Sequence, residues 1–151
     1  EETGTTFLEN AALKASQVAK ALNQWAIADD SGLAVEALNG APGLYSARYG
    51  TTDQERIERL LTELGNNPNR RAKFICAVAI AKPDGTIAAQ VQGDCPGEIL
   101  PELRGRGGFG YDPIFVAEGE TITFGEMDPA RKHAMSHRAD AFQKLRAILN
   151  T

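Results

Sequence analysis

The stretch Ile27-Ala28-Asp29-Asp30-Ser31-Gly32-Leu33-Ala34-Val35 sets two carboxylates, a hydroxyl and a glycine between apolar runs. Trp25-Ala26-Ile27-Ala28 has strand composition, and Leu33, Val35 and Ala37 alternate after the acids as a half-buried strand would. The spacing therefore predicts acidic groups at a strand end, where open α/β sheets present their ligand-binding groups. The same residues also suit an Asx-turn, with Asp29 or Asp30 capping local amides and Gly32 at positive φ. The stretch alone leaves both readings open.

Three other groups of residues carry chemistry. Lys14 falls on the apolar side of a helical pattern, where a cation needs an anion nearby or must extend along the stripe to water. Arg104-Gly105-Arg106-Gly107-Gly108-Phe109-Gly110-Tyr111-Asp112-Pro113 is the most glycine-dense segment; its glycines would let backbone approach a ligand, and Phe109 would stack on a flat ring. The opposing reading is a flexible surface loop with Phe109 tucked into the core. Gly105, Gly107 and Gly110 satisfy G-x-G-x-x-G by chance, because Pro113 and a strand-like run follow where a dinucleotide fold needs a helix. In Arg131-Lys132-His133-Ala134-Met135-Ser136-His137-Arg138, both histidines of the chain join four other basic or capping side chains. Ser136 caps a final helix, so His137 and Arg138 stand in its first turn, where free amides attract an anion but a cation opposes the helix dipole. A solvated basic face would usually respect that dipole.

The elements that position these groups follow from caps and periodicity. Thr6-Phe7-Leu8-Glu9 is a capping box, and Phe7, Ala11, Ala15, Val18 and Leu22 mark the buried face of the helix it opens. Thr52-Asp53-Gln54-Glu55 opens a second helix with Ile57, Leu60, Leu61 and Leu64 inward, ending at Gly65. Phe74, Cys76, Val78 and Ile80 alternate, Pro83-Asp84-Gly85 turns, and Ile87, Ala89 and Val91 continue, which predicts a β-hairpin. Asp128-Pro129 starts a further helix, and Phe142, Leu145, Ile148 and Leu149 face the core from the last one. The fold class expected is α/β, a mixed, twisted sheet flanked by helices.

A chain of 151 residues fits one domain. With 24% charged and 42% apolar residues and no run near the ~20 needed to cross a bilayer, it reads as a soluble globule with no membrane partner. The formal charge of −4 argues against nucleic acid as a partner. Cys76 and Cys95 make no disulfide framework and lack metal-ligand spacing, in keeping with a reducing, cytoplasmic setting.

Ala28-Asp29-Asp30-Ser31-Gly32-Leu33, Gly107-Gly108-Phe109-Gly110-Tyr111-Asp112-Pro113 and Ser136-His137-Arg138, in that order and with Thr6 to Lys14 before them, resemble the Ham1/RdgB family of inosine/xanthosine triphosphate pyrophosphatases. The likeness runs through almost the whole chain. It implies that a strand, a Thr-Gly-Asn-x-x-Lys loop and a helix precede Glu1, a βα unit of ~30 or more residues that is not in this sequence. It makes Asp30 the proton acceptor and a Mg²⁺ ligand, with Glu2 a second metal-directed carboxylate and Asp29 left to hold the turn or support the metal. It gives Lys14 and Ser31 to phosphate, Phe109 to stacking on the base, and Asp112, Lys132, His137 and Arg138 to the base and sugar. Gly110 and Tyr111 come with the same loop. A homodimer is also implied.

The activity expected is Mg²⁺-dependent hydrolysis of purine nucleoside triphosphates, ITP, dITP and XTP, to the monophosphate and pyrophosphate. Two other readings stand beside it: a phosphatase forming an aspartyl-phosphate at the acid pair, and a purine nucleotide-binding module without turnover.

Overall fold

The computed structural model describes residues 4–149. In chain order its elements are α1 (Phe7–Leu22), β1 (Ala26–Val35), α2 (Asp53–Leu64), β2 (Arg71–Ala81), β3 (Ile87–Ile99), β4 (Phe115–Ala117), α3 (Pro129–Met135) and α4 (His137–Leu149). Short 3-10 turns occupy Glu36–Leu38, Gly43–Arg48 and Asp112–Ile114. The strands form one sheet in the order β1-β2-β3-β4, giving the α/β class with helices flanking a sheet.

The local rules account for most boundaries. The Thr6 hydroxyl accepts from Glu9 N–H at 3.0 Å, and Thr52 does the same for Glu55 at 3.1 Å. The acids of both boxes reach one residue further out than the usual pattern: Glu9 accepts from Thr5 N–H at 2.6 Å and Glu55 from Thr51 N–H at 2.8 Å. α2 stops at Gly65, whose φ of 53° suits glycine. The predicted hairpin turns at Gly85, φ 90°, with Lys82 N–H donating to Thr86 O at 2.8 Å. β3 and β4 are antiparallel, Gly97 opposite Ala117 and Ile99 opposite Phe115.

Three expectations need correction. β1 runs unbroken from Ala26 to Val35, so Asp29 and Asp30 lie in mid-strand, in neither a strand end nor a turn. Apolar flanks on both sides carry the strand through residues of poor strand propensity, as tertiary context commonly does. In α1 the buried face is Phe7, Asn10, Ala11, Ala15 and Ala19, while Val18 and Leu22 are exposed. A step of four through small alanines lets the helix lie close to what covers it, and Asn10 is kept by accepting from Gly4 N–H at 2.7 Å. In α4, Ala141 and Leu145 are buried, but Phe142 and Ile148 are exposed to 40% and 47%.

The chain folds as two compact units, Glu1–Ser31 with Ile75–Asp94 and His137–Thr151, and Gly32–Phe74 with Cys95–Ser136. In the first, Cys76, Val78 and Val91 of the strands pack with Ala141 and Leu145 of α4. In the second, Leu33, Val35, Ile57, Leu60, Ile114 and an aromatic group form the core. There Phe115 meets Phe74 edge-on at 4.5 Å and Phe124 at 5.1 Å between ring centroids, geometries that aromatic quadrupoles favour.

Candidate functional site

In the first unit the acids of β1 are sorted by the strand itself. Successive side chains of an extended backbone leave on opposite sides, so Asp29 and Asp30 do not form one carboxylate pair. Asp30 lies toward α1, its Oδ1 3.9 Å from Lys14 Nζ, and keeps only 15% of its side-chain surface exposed. The cation on the apolar side of α1 thus has an anion within reach, at a separation longer than a hydrogen bond. Alternation groups Ser31, which is half-buried, with Asp29.

Asp29 lies toward α4. Its Oδ2 accepts from Arg138 NH2 at 2.6 Å and stands 3.9 Å from Cys76 Sγ. Burial first, and then the Asp29 charge, push the Cys76 thiol up to about 11, so it is neutral near pH 7. α4 is seated against β3 by contacts of its own. Gly93 leaves no room for a side chain, since a Cβ there would lie 2.2 Å from Ala141 N and 2.6 Å from His137 O. The Asp140 carboxylate accepts from Asp94 N–H at 3.0 Å, and Lys144 donates to Gln92 O at 2.9 Å. His137 and Arg138 are the first two residues of the helix, and Asp29 offsets the cation that the helix dipole disfavours there.

In the second unit the glycine-rich loop is fastened, not floppy. Gly107 N–H donates to Gly125 O at 2.8 Å, Arg104 N–H to Pro113 O at 2.8 Å, and the Arg104 guanidinium to Thr121 O at 3.0 Å. Asp112 is 3% exposed and organises the tip: its Oδ2 accepts from Phe109 N–H at 3.0 Å and from Lys132 Nζ at 2.5 Å. Gly108, at φ +70°, is required by that clasp, because a Cβ would lie 2.1 Å from Asp112 Oδ2. The Phe109 ring is 72% exposed, with Lys132 Nζ 4.4 Å from its centroid, within cation–π range. The ring is thus held out from a pinned loop with a flat face open to solvent, and the reading that tucked Phe109 into the core is overturned. Gly110, φ 58°, follows it.

Tyr111 turns inward from the same loop. Its hydroxyl donates to Ser46 O at 2.7 Å, and burial raises its pKa. Ser46 also accepts from Leu33 N–H at 2.9 Å and donates to Gly43 O at 2.6 Å, so one buried serine ties the end of β1 to the loop.

The structure therefore brings together Lys14 with Asp30 and Arg138 with Asp29 in one unit, and Phe109, Asp112 and Lys132 in the other. Tyr111 is committed to the scaffold. Glu2 lies outside the described residues. Sequence reasoning missed Ser46 and the Asp29–Arg138 pair: Ser46 looks like any loop serine, and nothing local joins residues 29 and 138.

Among the described residues, no group of three or more His, Cys, Asp or Glu is placed to hold a metal ion. Asp30 by itself still fits Mg²⁺, which commonly takes one or two carboxylates and completes its shell with phosphate oxygens and water.

Residues 1–148 match the sequence model of the Ham1 family. The chain is 63% identical to a dITP/XTP pyrophosphatase of Nostoc sp., the match covering 96% of this chain and 74% of that protein. It is 50% identical to a dITP/XTP pyrophosphatase of Oceanobacillus iheyensis, over 100% of this chain and 79% of that one. Among solved structures, the Staphylococcus aureus Ham1 protein superposes with a TM-score of 0.93 at 47% identity, covering 99% of this chain and 79% of that one. A nucleoside-triphosphatase, dITP/XTP pyrophosphatase, of Mycobacterium abscessus superposes with a TM-score of 0.82 at 41% identity, over 96% and 76% of the two chains.

Proposed function

The chain belongs to the Ham1 family, and we propose that it hydrolyses the non-canonical purine nucleoside triphosphates ITP, dITP and XTP to the monophosphate and pyrophosphate, as a Mg²⁺-dependent, cytoplasmic homodimer. The observation that carries the reading is the exposed Phe109 ring on a loop pinned around it, with the donor-only Lys132 beside its face.

Asp30 is the proton acceptor. Its shielded carboxylate orients the attacking water and takes its proton. Lys14 places a positive charge beside the anion that the triphosphate adds. Asp30 would hold Mg²⁺, which when bound supplies further positive charge to the phosphates. Ser31 is assigned to phosphate, and His137 to the base and sugar. Such chemistry needs position and field more than covalent steps.

Base choice follows from donor arithmetic. Phe109 stacks on the purine. Lys132 and Arg138 can only donate hydrogen bonds, and each has spent one donor group on an aspartate. The donors that remain suit a 6-oxo group and are left unpaired by a 6-amino group, a mismatch that discriminates strongly in kcat/KM.

Product analysis tests the proposal. With ITP and Mg²⁺, IMP and pyrophosphate should appear in equal amounts, and a chelator should stop the reaction. Inorganic phosphate with a trappable aspartyl-phosphate, or binding of ITP with no turnover, would each refute it. Light scattering checks the dimer.

A further inference from the structure

We infer that Asp29 is a positioning residue, which holds the Arg138 guanidinium in the orientation used for nucleotide recognition and takes no part in proton transfer or metal binding. The inference rests on the functional reading above for what Arg138 recognises.

Four observations carry it. Asp29 and Asp30 leave β1 on opposite sides, so a carboxylate next in sequence to the proton acceptor is turned away from it. The two acids also have different partners: Asp30 stands 3.9 Å from Lys14 of α1, whereas Asp29 makes a charge-assisted hydrogen bond of 2.6 Å to Arg138 of α4. Arg138 is anchored without being used up. NH2 is engaged, but 57% of the side chain is exposed, and a guanidinium offers five N–H donors in a rigid fork. Finally, α4 does not need this pair to stay in place. Gly93, Asp140 with Asp94 N–H, and Lys144 with Gln92 O seat the helix independently. An ion pair this exposed adds little to stability, so its consequence falls on the direction of the guanidinium.

Cys76 supports the same geometry from below. Its neutral thiol packs 3.9 Å from Asp29 Oδ2 and gives that carboxylate a floor without a competing charge.

The test is a double-mutant cycle on the full chain, D29N, R138Q and the double variant, with D29E as the conservative rescue. Steady-state kinetics with ITP and Mg²⁺ and calorimetric binding of IMP are the readouts. D29N should raise KM for ITP and Kd for IMP roughly tenfold or more, the scale of one charge-assisted hydrogen bond, with kcat held within about twofold. In the R138Q background D29N should change either constant by less than about twofold, and D29E should recover most of the loss. A D29N enzyme that loses kcat with KM unmoved, an undiminished D29N effect without Arg138, or a D29N enzyme identical to wild type would each overturn the inference. Should D29N fail to fold, R138K carries the test: it keeps the charge but loses the fork, so KM must rise, and an unchanged KM would overturn the inference. A wild type that binds IMP yet turns over no ITP would refute the functional reading alone, since the binding arm still decides Asp29. A wild type that does neither overturns both.

Discussion

Asp30 and Asp112 are both largely buried aspartates beside a lysine, and their surroundings give them different work. Asp30 stands 3.9 Å from Lys14 Nζ and is the proposed proton acceptor, so Asp30→Asn should lower kcat by about a thousandfold while IMP binding persists, as read by single-turnover kinetics and calorimetry. Asp112 is closed on Lys132 at 2.5 Å, with the two side chains 5% and 12% exposed. Removing its charge strands a buried cation, so Asp112→Asn should destabilise the protein by about 3 kcal/mol in urea unfolding, and Lys132→Met added to it should restore part of that. The chemistry-bearing residue types were visible in the sequence, because acids, lysines and an aromatic among glycines stand out locally. Their pairings were not. Asp29 with Arg138 and Tyr111 with Ser46 join positions more than sixty residues apart, and a local pattern holds no information about such contacts.

At the scale of elements, caps and periods were legible because they depend on neighbours a few residues away. Thr6, Thr52, Gly65 and the Pro83-Asp84-Gly85 turn all fall where their chemistry places them. The acids read in sequence as strand and turn because residues 29–32 have low strand propensity, which their flanks overrule, and the buried face of α1 is hard to read because alanines, being small, weigh little in an apolar stripe. Gly93 was also silent in sequence, yet it governs how closely α4 lies on β3. Gly93→Ala should destabilise by about 1–3 kcal/mol in chemical denaturation and raise KM for ITP, because the displaced helix carries Arg138. The caps also predict a pH response. Hydrogen bonds from Thr5 and Thr51 hold the Glu9 and Glu55 carboxylates below their ordinary 4.5. A folded-state pKa that is lowered adds stability above the unfolded value, and this is lost as pH falls through the folded one. Thermal melts should therefore show a decline below pH 4.5 that is shallower in Glu9→Gln and Glu55→Gln.

For the molecule as a whole, each compact unit carries its own set of candidate residues: a shielded aspartate, a lysine and a held arginine in one, and an exposed aromatic with its clasped lysine in the other. The α/β class and the family were both readable from the order of motifs along the chain, and the comparisons bear them out. No helix among the described residues is long and apolar enough to cross a membrane. The central claim is that this chain selects 6-oxo purine triphosphates for hydrolysis, and kcat/KM for ITP against ATP, measured side by side with Mg²⁺ and pyrophosphate detection, tests it most directly. Donors left unpaired by adenine predict a preference for ITP of at least about a hundredfold, and near-equal kcat/KM for the two nucleotides would contradict it.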